Sequence, residues 1–90
     1  MIYRKGGGTV QFQPDAVGIV IRRLRLQHKM SQELLSGLAG IARSHLSMIE
    51  NGVKQPNFET IWRIADALGM LPSVLVAEIE REPSQTADPR

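Results

Sequence analysis

Residues 31–52 read Ser31-Gln32-Glu33-Leu34-Leu35-Ser36-Gly37-Leu38-Ala39-Gly40-Ile41-Ala42-Arg43-Ser44-His45-Leu46-Ser47-Met48-Ile49-Glu50-Asn51-Gly52, and their punctuation decides the fold. Ser31 caps a helix, because its hydroxyl can accept from a free N–H of the first turn, although Leu34 stands where a capping box has Glu or Gln. Leu35 and Ala39 form an i, i+4 pair on that helix, and Gly40 supplies the backbone freedom for a tight turn. A further helix starts at once. Its residues divide by angular position into Ala42, His45, Leu46, Ile49 and Glu50 on one side and Arg43, Ser44, Ser47, Met48 and Asn51 on the other. Only the first set contains buried-type aliphatics, so the second is expected to face solvent. Asn51-Gly52 closes the helix, with Gly at the left-handed position.

Upstream, Asp15 after Pro14 is placed to cap a first helix whose Val17, Ile21, Leu24 and His28 recur at i, i+4, i+7 and i+11, a core-facing stripe. Downstream, the polar loop Val53-Lys54-Gln55-Pro56 leads to Asn57, the cap of a fourth helix. Phe58, Ile61, Trp62, Ala65 and Leu68 are read as the buried face of that helix, which stops at Gly69. Pro72 suits the first turn of a final helix carrying Leu75, Val76 and Ile79 and ended by Pro83. The prediction is an all-α, compact five-helix domain over residues 14–81. Residues 1–13, with Gly6-Gly7-Gly8, are expected to be a flexible arm, and residues 82–90, with two prolines and little apolar surface, a disordered tail.

A chain of 90 residues holds one small domain. It has no cysteine, hence neither a disulfide framework nor a thiolate metal site, and a reducing cytoplasm is its natural compartment. No stretch approaches the roughly 18 apolar residues of a membrane span, and no signal-peptide core is visible. The net charge of +2 is unevenly spread: residues 1–56 carry eight Lys/Arg against three Asp/Glu, residues 57–90 three against six. A polyanion would therefore dock on the first half. His28 and His45 lack metal-ligand spacing and the glycine triplet is not a phosphate loop, so no metal, no cofactor and no enzymatic activity is expected. With 4% aromatic residues, and Phe58 and Trp62 assigned to the core, a binder that stacks single-stranded bases is disfavoured against one that binds duplex DNA.

The two short helices within residues 31–51 have the layout of a helix-turn-helix. The run Gly18-x-x-Ile21-Arg22-x-Leu24-Arg25, Met30-Ser31-Gln32-x-x-Leu35, Ala39-Gly40-Ile41, Leu46-Ser47-x-Ile49-Glu50-Asn51-Gly52, Pro56 and Ile61-x-x-Ile64-Ala65-x-Ala67-Leu68-Gly69 is similar to the Cro/C1-type (XRE) helix-turn-helix family, which includes phage repressors. The resemblance implies a lambda-repressor-like domain that binds double-stranded DNA as a homodimer, with the third helix in the major groove, and acts as a transcriptional regulator, expected to be a repressor. By matching positions it also implies that Arg43, Ser44, Ser47 and Met48 read bases and that Gln32 holds the DNA backbone; Asn51, Lys54 and Gln55, in the loop that follows, are further backbone candidates because they extend the same basic side.

Physical chemistry agrees with these roles. Arg43 can donate two hydrogen bonds to guanine, the serines can bond base edges or phosphate, and Met48 can meet a thymine methyl. Gln32 falls in the first turn of its helix, where free N–H groups and the positive dipole end favour a phosphate. The resemblance further implies an ion pair between Arg25 and Glu50 that sets the angle of the recognition helix.

Some positions depart from the family pattern. Ser36 stands where Ala is usual, and Gly37 inside a helix costs about 1 kcal/mol relative to Ala. Leu34 with Leu38, and Ile19 with Leu26, place apolar stripes where relatives are usually polar. Arm residues Val10 and Phe12, the last helix, or a second subunit could cover them, and for a homodimer the candidates are Leu71, Leu75, Val76 and Ile79. The same stripes support an alternative, an antitoxin or adaptor that holds a protein partner and binds DNA for autoregulation.

Overall fold

In the computed structural model, which describes residues 12–83, five helices follow one another: α1 (Pro14–Gln27), α2 (Gln32–Ala39), α3 (Arg43–Glu50), α4 (Phe58–Ala67) and α5 (Pro72–Glu80). The all-α, five-helix expectation is borne out. Most of the expected arm and tail, residues 1–11 and 84–90, lies outside the described residues. The tail expectation began at residue 82, yet Glu82 is buried and accepts a 2.6 Å hydrogen bond from Arg23 Nη1.

Local chemistry sets most helix boundaries. The Ser31 hydroxyl accepts from the Leu34 N–H at 3.0 Å, Asn57 Oδ1 accepts from the Thr60 N–H at 2.8 Å, and Pro72 opens α5. At α1 the cap differs from expectation: Gln13 takes the N-cap position, Pro14 opens the helix, and Asp15 lies in the first turn, beside the positive end of the helix dipole. His28 is also displaced from its expected place in the core. The helix ends at Gln27, and the exposed His28 turns back so that its backbone N–H and ring Nδ1 both meet the Leu24 carbonyl, at 3.0 and 2.8 Å.

The core draws on every helix, with Val20 and Ile21 of α1, Leu35 of α2, Leu46 and Ile49 of α3, Ile64 of α4 and Leu75 of α5 as its largest fully buried side chains. Helix α3 packs on α1 and α2, α4 on α2, and α5 on both α4 and α1. The axes of α4 and α5 break by 104° at Gly69, which lets α5 fold back over the core. No single helix among the described residues is long and apolar enough to cross a membrane.

Two expectations are overturned here. Phe58 and Trp62 are 81% and 58% exposed rather than buried. The α4 arc that faces inward is Thr60, Ile61, Ile64, Ala65 and Leu68, which is complete without the aromatic pair, so the helix is rotated away from the arc the apolar residues alone suggest. Conversely, Leu75 and Ile79 belong to the chain's own core, at 0% and 7% exposure, and cannot form a dimer surface; Leu71 and Val76 remain exposed.

The two irregular residues of α2 behave differently. The buried Ser36 hydroxyl donates to the Glu33 carbonyl at 3.1 Å, which satisfies it within its own helix. A Cβ added at Gly37 would meet nothing within 4 Å, and the backbone there is helical. Gly37→Ala should therefore stabilise the domain by about 1 kcal/mol. Thermal unfolding should show a melting temperature raised by roughly 4–8 °C; a lower value would mean that α2 needs the glycine.

Candidate nucleic-acid interface

The turn between α2 and α3 is built by Gly40, which adopts φ +73°, while the Gly40 and Ile41 N–H groups close the helix on the Gly37 and Ser36 carbonyls at 3.2 and 3.0 Å. Helix α3 then leaves at an angle that buries Leu46 and Ile49 completely. That anchoring decides what lies outside. Arg43, Ser44 and Asn51 are exposed, Met48 is 37% exposed, and Ser47 is half-buried. The Arg43 side chain makes neither an ion pair nor a hydrogen bond among the described residues, so its guanidinium is free to meet a ligand. Ser47 is less free, because Asn51 Nδ2 donates to its Oγ at 3.5 Å.

The loop after α3 is held to its last turn: the Gly52 N–H donates to the Ile49 carbonyl at 3.1 Å, and the Val53 and Lys54 N–H groups both donate to the Met48 carbonyl, at 2.9 and 3.2 Å. Lys54 is exposed. Gln55, expected at the DNA backbone, uses its side-chain amide to donate to the Pro14 carbonyl at 2.8 Å, which ties the loop to the start of α1.

Behind this surface the Arg25–Glu50 pair is formed and buried. Arg25 Nε and Nη2 donate to the two Glu50 carboxylate oxygens at 2.7 and 2.9 Å, and Nη1 donates to the Met30 carbonyl at 2.9 Å. The Glu50 side chain is 0% exposed. Hydrogen bonding to Glu50, with a smaller contribution from its charge, outweighs burial and holds the Arg25 guanidinium above its ordinary pKa. Gln32 joins the cluster by donating to Glu50 Oε1 at 3.1 Å. One carboxylate at the end of α3 thus gathers a side chain from α1 and one from the first turn of α2.

A residue that composition and charge do not single out is equally central. A Cβ at Gly18 would lie 2.3 Å from the Ile49 carbonyl oxygen and 2.6 Å from that of Glu50. Glycine at this position lets α1 touch the α3 backbone. Its sequence signal was its place in the family-like run, and nothing else.

Elsewhere on the surface, Ile19 and Leu26 line a shallow groove of about 650 Å³ with Arg22, Arg23, Gln27 and Glu50, and Leu34 and Leu38 are about half exposed. Among the described residues no group of three or more His, Asp or Glu could hold a metal ion.

Residues 21–75, from within α1 to within α5, match the helix-turn-helix family model HTH_3. The chain belongs to the helix-turn-helix family. Over 70 residues it is 31% identical to an uncharacterized HTH-type transcriptional regulator, y4dJ, of Sinorhizobium fredii, covering 78% of this chain and 91% of that one. It is 36% identical over 62 residues to the immunity repressor protein of Bacillus phage phi105, covering 69% of this chain but only 43% of the phage protein. Among solved structures it is similar to the restriction-modification controller protein C.AhdI from Aeromonas hydrophila, with a TM-score of 0.67 and 32% identity over 69% of this chain and 94% of that one. In this helix-turn-helix protein the motif is α2, the Gly40 turn and α3, and the matched residues contain both members of the buried ion pair.

Proposed function

We propose that the protein is a sequence-specific regulator of transcription, acting as a repressor, that binds double-stranded DNA with α3 in the major groove. The observation that carries this reading is the free Arg43 at the outer start of α3, on a helix whose buried side is locked by Leu46, Ile49 and Glu50. A major groove about 12 Å wide admits such a helix, and a guanidinium at its leading end matches the two acceptors of guanine. Ser44 and Met48 stand beside it, with Ser47 deeper on the same side. Gln32, Asn51, Lys54 and Gln55 would meet phosphates, Gln32 and Gln55 with the part of their amides not already bonded within the protein. The immunity-repressor and controller relatives support a regulatory role.

A homodimer would place two copies of α3 about 34 Å apart, in successive major grooves. Its contacts would come from Leu71 and Val76, joined by the exposed Phe58 and Trp62, since exposed aromatics are typical anchors of protein interfaces. The adaptor alternative gains nothing from the structure beyond the exposed stripes that first suggested it.

Selection of bound sequences from random duplexes tests the proposal: a two-fold symmetric motif is expected, and no enrichment would defeat sequence-specific reading. On the selected site, Arg43→Ala should cost about 1–3 kcal/mol and relax preference at one base position, whereas Lys54→Ala should weaken specific and random duplexes alike. Equal losses on both duplexes for Arg43→Ala would remove its base-reading role.

A further inference from the structure

The bond from Gln55 Nε2 to the Pro14 carbonyl, at 2.8 Å, draws the start of α1 against the loop that follows the recognition helix. A second contact lies beside it. Position 52 has no side chain, and the Asp15 carboxylate lies where one would begin: a Cβ added at Gly52 would be 3.1 Å from Asp15 Oδ1. Gly52 stands between Asn51 and Lys54, so this carboxylate sits among the residues proposed to meet phosphates. Asp15 is exposed, and its side chain makes neither an ion pair nor a hydrogen bond among the described residues. Of the three acidic residues within 1–56, Glu50 is buried and paired with Arg25, and Glu33 belongs to the first turn of α2. Asp15 therefore brings an unpaired negative charge to the α3–α4 loop.

We propose that Asp15 faces the sugar-phosphate backbone beside this loop and repels it, as a counterweight to Lys54. The inference rests on the DNA-binding reading above and concerns how that same surface is regulated. A cation on the loop attracts every duplex regardless of sequence, and a carboxylate beside the same phosphates subtracts from that attraction. The Asp15 charge thus sets how tightly the chain holds any duplex, while α3 sets which duplex it prefers. An anion in the first turn of α1 also meets the positive end of the helix dipole. That structural role needs only a charge in the first turn, whereas the contact with Gly52 places the charge on the loop.

The test measures the affinity of the full chain and of its D15N and D15K variants for fluorescein-labelled duplexes of selected and of random sequence, about 30 base pairs long, from about 0.05 to about 0.3 M salt. E80Q, which removes an exposed carboxylate from the end of α5, is the control for net charge. At about 0.05 M salt D15N should bind about 3-fold more tightly than the parent and D15K about 10-fold, by the same factor on both duplexes. The gain should shrink as salt rises, because ions screen exposed charges, and E80Q should match the parent. Melting temperatures, read by circular dichroism, should fall by no more than a few degrees, and Asp15→Ser takes the place of D15N if that variant does not fold. Unchanged or weaker binding by D15N, an equal gain in E80Q, or a gain confined to the selected duplex overturns the counterweight and spares the regulator reading. No binding of either duplex by the unaltered chain overturns both.

Discussion

Glu50→Ala should lower the melting temperature by at least about 12 °C, or unfold the domain outright. The variant leaves the Arg25 guanidinium buried with the Met30 carbonyl as its one remaining acceptor among the described residues. A side chain that loses carboxylate in this way could escape the penalty by giving up its proton, but arginine does not. Breaking a buried pair from one side costs about 3–5 kcal/mol, and for a domain of this size each kcal/mol moves the midpoint by roughly 4–8 °C. Removing both charges is a different matter. Arg25→Met with Glu50→Leu should recover most of the loss, because well-packed apolar replacements of buried pairs are often neutral or better. The double variant should still bind DNA more weakly than the parent, since Gln32 loses the acceptor that orients it at the start of α2. Thermal unfolding followed by circular dichroism, with DNA titration of the double variant, separates stability from positioning. A Glu50→Ala midpoint within a few degrees of the parent would show that the pair contributes little.

Gly18→Ala should also destabilise the domain, although it adds a single methyl group. The atoms it would strike, the Ile49 and Glu50 carbonyls, are backbone and cannot rotate aside. Either α1 and α3 separate, which opens the core around Val17, Ile21 and Ile49, or the strain is stored in both helices. Overpacking of this kind costs about 1–3 kcal/mol and sometimes more, and the upper end is expected where backbone meets backbone. Helix propensity acts in the opposite direction, since Ala is favoured over Gly by about 1 kcal/mol inside a helix. A net rise in melting temperature would mean that the two helices can move apart cheaply. Because the strained contact is with the last turn of α3, DNA affinity should fall further than stability alone explains.

Gly37→Ala, with the same chemical change, is expected to stabilise. Along the chain only the family-like run, which includes Gly18 and not Gly37, distinguishes them. Each lies inside a helix, and the difference is whether another helix crosses at that point.

The same distinction runs through the rest of the molecule. Features set by neighbours along the chain were legible: the Ser31 and Asn57 caps, the Gly40 turn, and the two sides of α3, where Leu46 and Ile49 are buried and Arg43 and Ser44 exposed. The candidate site is legible for that reason, since the residues proposed to meet DNA are those left over when a short amphipathic helix buries its aliphatic side. Features set by the packing of one helix on another were not. The pattern of α4 admits Phe58 and Trp62 into an apolar arc, yet the helix turns Thr60 and Ile64 inward and leaves the aromatic pair in solvent. The pattern of α5 is apolar nearly all round, so Leu71 and Val76 could not be told from Leu75 and Ile79 until the helix had a direction from which it met the core.

By itself, then, the sequence determined that this chain forms five helices, where most of them start and turn, and that α3 carries a polar outer side with Arg43 at its beginning. Only the tertiary structure decided which apolar residues stay in water, which glycine is irreplaceable, and that Gln32 joins Arg25 on the Glu50 carboxylate. Caps and turns depend on atoms a few residues apart, whereas rotation about a helix axis and close approach of backbones depend on partners that are distant in the chain.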